Sequence, residues 1–380
     1  MEKYLFYSSG ALYSGIQTGG VKRCKELIDS ALVCNQSVCF ASQDAKDFIN
    51  KKGFNKFIQL KEGKHKGLLK LFPPEFQVLL ANIGIIKTIK TSKYDRVIVF
   101  DVPPTIGLVL LRVKNIVLLI RKDLIGYEKI INHKWSVYPK LVFLWICESL
   151  CMLRSIKIIC QCDYDKHKLM KRHPLIAYSI NKKTKILINN VNPSWIVGNK
   201  QNVKNVIQLG PKERFRVCFI GNFDTPRKGH QLLLDAAIDI LKYDKGIEFV
   251  LIGGGESLEY YRMRYAKERI IFTGKLSEPI VALKQCDMLV VPSYADSCPN
   301  TVMEALYHEI PVIGSKAGGI PEILIDKESL FDLNKASLKA SILKYKSSQD
   351  ELNRLRTIQI ERKKQLTFDW GNRMLNLILS

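Results

Sequence analysis

The stretch DMLVVPSYADSCPNTVMEALYHEIPVIGSKAGGIPE (Asp287–Glu322) is the most informative part of the sequence for the fold. Its run Met288–Val291 is short, apolar and partly β-branched, and Pro292-Ser293 stops it, which predicts a buried strand of a parallel sheet. Residues 310–314 (IPVIG) predict a second strand, and the apolar periodicity from Thr301 predicts a helix between the two. The stretch is therefore a β-loop-α-β-loop-α unit, and both of its loops open at the same edge of the sheet.

Two carboxylates flank the first loop: Asp296 lies before the predicted helix and Glu304 in its first turn. Taken alone, a first-turn glutamate more often caps a helix or interacts with its dipole than binds a ligand. Here it accompanies two strand ends and a second glycine-rich turn, Gly318-Gly319. Amides at helix N-termini bind phosphates, and carboxylates bind sugar hydroxyls. The unit thus predicts a site for a ligand that carries both groups.

This stretch resembles the donor site of family 4 glycosyltransferases. The residues that carry the resemblance are Pro292-Ser293, Asp296, Pro299, Glu304-Ala305-Leu306, Pro311-Val312-Ile313 and residues 318–322. In that family two glutamates eight positions apart hold the nucleotide sugar, and Asp296 stands where the first glutamate usually lies. The resemblance implies that Glu304 binds the ribose and Asp296 the sugar, with Asn300 and Thr301 also at the donor.

The resemblance extends to a phosphate-binding loop earlier in the chain. Gly221, Lys228 and Gly229 form a Gly-x6-Lys-Gly pattern after a predicted strand, which places a cation and free amides where a diphosphate could bind. The family usually has an arginine after the first glycine, where this chain has Asn222. Charge compensation is therefore expected from Lys228, with Arg227 as its substitute.

The N-terminal half predicts a second α/β layer. Short apolar runs alternate with helical stretches, and a glycine-rich loop with Gly19-Gly20 follows the first strand. A tight connection explains this loop equally well, but it also matches the family's N-terminal loop beside the donor phosphates. The family often has a histidine after the strand Ile116–Ile120, where this chain has Arg121 and Lys122, which become candidate cations.

As a whole, the resemblance implies the α/β GT-B architecture: two facing Rossmann-like domains with mostly parallel sheets and a C-terminal helix that crosses back to the N-terminal domain. The expected domains are residues 1–195 on the acceptor side, a linker at 196–212, a donor domain at 213–365 and the crossover helix at 366–380. The implied reaction is glycosyl transfer with retention of configuration, without a metal or other cofactor. A non-transferring GT-B protein, such as a sugar-nucleotide epimerase, is the alternative, since the N-terminal histidine is missing.

Composition narrows the expected partners. Of a net charge of +23, residues 1–195 contribute 32 Lys+Arg against 14 Asp+Glu. The Lys- and Leu/Phe-rich stretch at 61–82 favours a peripheral contact with an anionic membrane, and an ordinary surface helix is the alternative. No nucleic-acid-binding module accompanies the charge. We therefore expect a nucleotide-sugar donor, a lipid-linked saccharide acceptor in surface-polysaccharide synthesis, and action at the cytoplasmic membrane face.

The remaining composition agrees with an intracellular enzyme. The ten cysteines lack zinc-site spacing and are expected to be reduced and mostly buried. The N-terminus runs directly into a strand pattern without a secretory signal. The longest apolar runs are shorter than a bilayer requires, so no transmembrane helix is predicted.

Overall fold

The computed structural model describes residues 2–14, 19–34, 37–44, 46–49, 52–63, 74–121, 123–131, 138–191 and 207–380. Three of the predictions fall partly or wholly on other residues. These are Lys122 as a cation, the lysines and apolar residues at 64–73 as a membrane contact, and the linker up to residue 206.

The chain divides into two compact units. The first comprises Met1–Glu128, His133–Ile188 and Asp369–Ser380, and the second comprises Lys129–Asn132 and Asn189–Phe368. Each unit has its own parallel sheet flanked by helices, so the predicted pair of Rossmann-like α/β domains is confirmed. The C-terminal helix belongs to the first unit, as the fold prediction required.

The first sheet has seven parallel strands in the order β3-β2-β1-β4-β5-β6-β7. They are β1 (Lys3–Tyr7), β2 (Ser37–Ser42), β3 (Lys56–Gln59), β4 (Arg96–Phe100), β5 (Ile116–Ile120), β6 (Lys157–Cys160) and β7 (Thr184–Ile186). The helices of this half are α1 (Gly19–Val33), α2 (Lys46–Ile49), α3 (Pro74–Ala81), α4 (Ile83–Thr91), α5 (Val102–Leu110), α6 (Leu124–Ile131), α7 (Tyr138–Arg154), α8 (Asp163–Arg172) and α9 (Ala177–Lys183).

The second sheet has six parallel strands in the order β10-β9-β8-β11-β12-β13. They are β8 (Phe215–Ile220), β9 (Ile247–Ile252), β10 (Ile270–Gly274), β11 (Met288–Val291), β12 (Val312–Ser315) and β13 (Leu330–Phe331). The helices that follow residue 207 are α10 (His230–Leu241), α11 (Leu258–Tyr265), α12 (Pro279–Leu283), α13 (Asn300–Tyr307), α14 (Ile320–Ile323), α15 (Lys335–Ser347), α16 (Gln349–Leu366) and α17 (Trp370–Leu379).

Both sheets contain a point where the strand order reverses. In the first unit the reversal lies between β1 and β4, and in the second between β8 and β11. The central strands are buried on both faces, as the continuous apolar runs of β5, β9 and β11 predict. Connections leave such a reversal in opposite directions and open a crevice at the carboxyl ends of the strands, where ligands bind in open α/β sheets.

The last helix, α17, packs on α1 within the first unit. Trp370 is buried, and the guanidinium group of Arg23 lies 5.4 Å from the centre of its ring. A Cβ atom on Gly371 would lie 1.9 Å from Ser30 Oγ, so the two helices approach more closely than any larger residue would permit. Trp370 therefore anchors the C-terminal helix to α1.

Two helix boundaries differ from the predictions. Gly19 and Gly20 are the first two residues of α1 and do not lie in a loop. The helix α13 begins at Asn300 with Pro299 as its N-cap, so Glu304 is its fifth residue and the first turn contains no acidic residue. The placement of Glu304 in the first turn was wrong.

Candidate functional site

An ion pair joins two loops at the strand-order reversal of the second unit. Lys228 ends a 3-10 turn, Pro226–Lys228, after β8, and its Nζ donates to Oδ2 of Asp296, which follows β11. Arg227 Nη1 lies 3.5 Å from the same carboxylate oxygen and donates to the Ala295 carbonyl at 2.7 Å. The predicted cations and the predicted sugar-binding carboxylate thus form one cluster.

The loop of Lys228 is held against the end of β11 by backbone contacts. The N–H of Tyr294 donates to the carbonyl of Arg227 at 2.7 Å. Gly229 has a φ of 73°, and a Cβ atom there would lie 1.9 Å from the Pro292 carbonyl oxygen. Only glycine fits both the left-handed backbone and this approach. The position of Lys228 is therefore fixed by the residue that follows it.

Asp296 also connects to the glycine-rich turn before α14. The N–H of Gly319 donates to the Asp296 carbonyl at 2.9 Å, and Gly318 adopts a φ of 62° with room for no Cβ atom beside that carbonyl. The loop after β11 thus contacts both the loop after β8 and the loop after β12 at one sheet edge. Lys228, Arg227, Asp296, Gly318 and Gly319 are brought together by the fold.

Hydrogen bonds from Asn189 hold the start of α13. Asn189 Nδ2 donates to Asn300 Oδ1 at 3.0 Å and to the Cys298 carbonyl at 3.2 Å. Thr301 and Glu304 are both half-buried on this helix. Asn300 is thus an anchored side chain, and its amide nitrogen remains available as a donor after its oxygen has accepted from Asn189.

Gly221 directly follows β8 and begins the loop that carries Lys228. Its N–H donates to the Ile252 carbonyl at 2.9 Å, and a Cβ atom on Gly253 would lie 1.7 Å from the Gly221 carbonyl oxygen. Asp224 caps the neighbouring turn by accepting from the N–H groups of Ser257 at 2.8 Å and Glu256 at 3.0 Å. The hydrogen bond from Ser257 is the largest cause that lowers the pKa of Asp224. Asp224 was not among the predicted site residues, although an acidic residue shortly after a strand end was a usable signal.

His230 begins α10 directly after Gly229 and lies among aromatic rings. Its ring centre is 4.6 Å from that of Tyr261 and 5.1 Å from that of Phe223. The residue is fully buried, and neither ring nitrogen has a hydrogen-bond partner among the described residues. Burial lowers the pKa of His230 to about 4, so the imidazole is neutral in the folded protein near pH 7.

The first unit has a cavity of about 160 Å³ at its own strand-order reversal. Its polar lining includes Ser8 after β1, Asp101 after β4 and Arg121 after β5. Arg121 Nη2 lies 2.6 Å from Asp101 Oδ2, and the backbone N–H of Arg121 donates to Asp101 Oδ1 at 2.8 Å. Asp101 has a φ of 68° and a ψ of 165°, a region that residues other than glycine rarely occupy and that clusters at ligand sites.

Arg121 is not a free cation. Besides Asp101, its Nη1 donates to the Gly20 carbonyl at 2.9 Å and to Cys24 Sγ at 2.8 Å. Burial alone would lower the pKa of Arg121, and the carboxylate of Asp101 raises it. The guanidinium group therefore joins α1, β4 and β5, and its charge is already balanced by Asp101.

Asp44 is a second residue that the sequence analysis missed. It is fully buried and accepts hydrogen bonds from the N–H groups of Leu12 at 2.9 Å and of Tyr13 and Ser14 at 2.7 Å. Burial would raise its pKa, but the bonds from Ser14 and Leu12 outweigh that effect and lower it. Asp44 thus fixes the loop that leads from β1 towards Gly19 and Gly20. An isolated acidic residue just after a buried strand was the available signal.

All ten cysteines are free thiols and nine are buried, which confirms that prediction. Within the part of the chain that the structure describes, no group of three His, Cys, Asp or Glu residues could hold a metal ion. None of the described helices is both long enough and apolar enough to cross a bilayer.

Residues 214–345 match the protein family described as "Glycosyl transferases group 1". An uncharacterized glycosyltransferase of Methanocaldococcus jannaschii is 29% identical over 177 residues, which cover 45% of this chain and 43% of that protein. The Vi polysaccharide biosynthesis protein VipC/TviE of Salmonella typhi is 30% identical over 107 residues, which cover 27% of this chain and 18% of that protein. The chain thus spans less than half the length of these curated relatives.

Solved structures agree over nearly the whole chain. Sucrose-phosphate synthase from Thermosynechococcus elongatus superposes with a TM-score of 0.76 at 16% identity and covers 99% of this chain and 98% of that one. Anabaena HepE in complex with UDP-glucose gives a TM-score of 0.68 at 17% identity, with full coverage of both chains. At this identity the likeness establishes the fold, which is that of GT-B glycosyltransferases.

Proposed function

We propose that this chain, whose residues 214–345 match glycosyl transferases group 1 and whose two units have the GT-B fold, transfers a sugar from a nucleotide-diphosphate donor to a saccharide acceptor. The observation that carries the proposal is the pairing of Lys228 with Asp296 at the strand-order reversal of the second unit. Two glycine turns, at Gly229 and at Gly318-Gly319, adjoin this pair. The relatives whose names mention glycosyl transfer and polysaccharide synthesis support the same activity.

The ion pair can rearrange when a donor binds. An ammonium group has three N–H donors, so Lys228 can donate to a diphosphate oxygen and still remain near Asp296. Asp296, which then shares its cation with the phosphates, has lone pairs for sugar hydroxyls. Bond cleavage adds negative charge to the departing diphosphate, and a fixed cation stabilises that charge more than it stabilises the bound donor.

The proposed reaction is retaining and independent of a metal, as in family 4. Arg227 beside Lys228 would supply a second positive charge near the diphosphate. The anomeric configuration of the new glycosidic bond, read by NMR and compared with that of the donor, tests retention. Full activity after exhaustive chelation tests independence of a metal.

The proposed acceptor is a lipid-linked saccharide at the inner face of the cytoplasmic membrane, within surface-polysaccharide synthesis such as that of O-antigen, capsule or lipopolysaccharide. The charge of residues 1–195, 32 Lys+Arg against 14 Asp+Glu, favours an anionic membrane surface. If the acceptor is held in a membrane, the positive charge of residues 1–195 would bring the enzyme to it.

A panel of nucleotide sugars measured by thermal shift tests donor binding. At about a hundred times its dissociation constant, the correct donor stabilises the folded protein by about 2.7 kcal/mol. Transfer is then measured with saccharide lipids as acceptors. Donor binding that is followed by sugar epimerisation without any acceptor would identify the epimerase alternative, and no stabilisation by any nucleotide sugar would refute the proposal.

A further inference from the structure

Most of the outward side of α7 in the first unit is apolar. Six large side chains recur there at helical spacing, and each is at least 36% exposed: Tyr138, Val142, Trp145, Ile146, Leu150 and Leu153. Residues three, four or seven positions apart lie on the same side of a helix. We call these six residues the apolar face of α7. A surface helix of a globular protein normally has polar and charged residues in this position.

The opposite side of α7 is packed in the core of the first unit. Cys147, Cys151 and Met152 are buried and belong to the hydrophobic cluster around the first sheet. Because this side of the helix is packed in the core, the helix cannot rotate to bury its exposed side chains without breaking that packing. A contiguous exposed apolar patch of this kind marks an interaction surface.

Trp145 is fixed within the apolar face. Its Nε1 donates to the Arg172 carbonyl at 3.0 Å, and its ring stacks on His173 with a centre-to-centre distance of 5.3 Å. Just beyond this turn, Leu175 is 95% exposed and Tyr178 is 81% exposed. An apolar surface edged by tryptophan and tyrosine suits the boundary between lipid headgroups and acyl chains, where these residues are enriched.

Acidic side chains near the apolar face are buried or paired, and Glu128 pairs with Lys140 of α7 at 2.7 Å. Glu148 is buried and accepts from Arg172 at 2.8 Å and from His173 at 2.7 Å. Asp123 pairs with Lys168 at 2.6 Å. Residues 138–185 contain ten Lys+Arg and only three Asp+Glu, and two of these acids, Glu148 and Asp165, are buried. The exposed surroundings of the apolar face are therefore positively charged.

The positive charge around the apolar face of α7 distinguishes between two possible partners, a second copy of the chain and an anionic bilayer. A second copy of the chain would place the same basic surroundings opposite each other in a two-fold dimer, which like charges oppose. An anionic bilayer neutralises them and also accepts the apolar side chains. We propose that the apolar face of α7 inserts into the headgroup region of an anionic phospholipid bilayer, while lysines such as Lys171 and Lys182 contact the headgroups.

This inference rests on the proposed function only for its purpose, which is to bring the enzyme to a lipid-linked acceptor. The surface at α7 is distinct in sequence from the stretch at 64–73. Its existence can be measured with no nucleotide sugar present. The failure of either proposal therefore leaves the other one standing.

Co-sedimentation with vesicles provides the test. The full chain should bind phosphatidylcholine vesicles that contain about 30% phosphatidylglycerol, and it should bind pure phosphatidylcholine much less. The double variant Val142→Glu/Ile146→Glu should lose about tenfold or more in its partition coefficient, because two charges would enter the apolar region. Lys171→Gln/Lys182→Gln should weaken binding and reduce its salt dependence.

A matched control uses exposed apolar residues of the second unit. Tyr243 and Met263 are 85% and 82% exposed, so Tyr243→Glu/Met263→Glu adds the same charge without touching α7 and should bind vesicles as the wild type does. Circular dichroism melts confirm that each variant is folded. Brominated phosphatidylglycerol should quench the fluorescence of Trp145, and the quenched fraction should fall in Trp145→Phe.

Three results would overturn the inference. The first is wild-type protein that ignores anionic vesicles, and the second is a folded Val142→Glu/Ile146→Glu variant that binds like the control. The third is a wild-type dimer, seen by light scattering, that this variant dissociates, since the apolar face would then belong to a second copy. Donor-induced thermal shifts should be the same in this variant and the wild type, which separates docking from catalysis.

Discussion

The ammonium group of Lys228 donates to the carboxylate of Asp296, although the two residues lie 68 positions apart in the chain. They follow β8 and β11, the strands between which the order of the second sheet reverses. The predicted phosphate-binding cation and the predicted sugar-binding acid therefore form one unit. A donor that binds there must interact with both, which leads to the first prediction.

Lys228→Ala should slow the chemical step by about a hundredfold or more and weaken donor binding much less, because negative charge on the diphosphate grows as the glycosidic bond breaks. Single-turnover rates at saturating donor measure the chemistry, and calorimetry measures donor affinity. Arg227→Ala is the matched comparison and should have a smaller effect, since Arg227 lies farther from Asp296, at 3.5 Å. An unchanged single-turnover rate in Lys228→Ala would transfer the role to Arg227.

Glu304→Ala should slow transfer at subsaturating donor by roughly ten- to a hundredfold and leave the fold intact. Loss of a charge-assisted hydrogen bond to a ribose corresponds to about 1.5–3 kcal/mol, or roughly ten- to a hundredfold in donor affinity. Glu304 is half-buried in the second turn of α13, so no N-terminal cap is lost with it. Glu361→Ala, at an exposed position of α16, is the control. Near-normal turnover of Glu304→Ala would refute the assignment.

Gly229→Ala should destabilise the protein by more than about 2 kcal/mol, since the new Cβ atom adds a clash to the cost of a left-handed backbone. The clash is with the Pro292 carbonyl oxygen, 1.9 Å away. Gly210 has the same φ of 73° with nothing within 4 Å of its would-be Cβ atom, so Gly210→Ala measures the backbone cost alone. Urea denaturation should show the larger loss in Gly229→Ala; equal losses would mean that the two loops do not make this contact.

Folding stability should fall as the pH drops from about 6.5 to about 4, in part because of His230. Burial lowers its folded-state pKa from 6.5 to about 4, so the unfolded chain binds more protons in this window and acid favours unfolding. The contribution of His230 changes by about 1.4 kcal/mol per pH unit within the window and amounts to roughly 3 kcal/mol in total. Above the window it should be constant.

Urea midpoints of the wild type and His230→Leu across this range measure that contribution. The variant should lose less stability on acidification, and above pH 6.5 it should match or exceed the wild type, because two unpaired buried nitrogens are removed. His308, whose pKa burial also lowers to about 4, remains in both proteins and accounts for part of the residual slope. Identical slopes in the two proteins would show that His230 is not held neutral by burial.

Buried strands in both sheets, and the edge on which the candidate site lies, can be derived from the amino-acid sequence alone. Runs such as Ile116–Ile120 and Met288–Val291 are apolar and β-branched, and these local properties suffice to predict buried parallel strands. Since helices alternate with them, all their carboxyl ends meet at one edge. The loops at that edge, together with the resemblance to family 4, singled out Lys228 and Asp296.

The tertiary structure was needed to show which charged residues neutralise one another and which side of a helix faces solvent. Arg121 was a candidate ligand-binding cation from sequence, but Asp101, twenty positions earlier, neutralises it through a contact that depends on sheet order. The helix α7 is apolar on nearly all sides, so its periodicity could not identify the buried side. In the structure its one acidic residue, Glu148, is buried against Arg172 and His173, because a buried carboxylate is stable once it is paired. Only one side of the helix packs in the core, so Trp145 and Ile146 on the other side remain exposed.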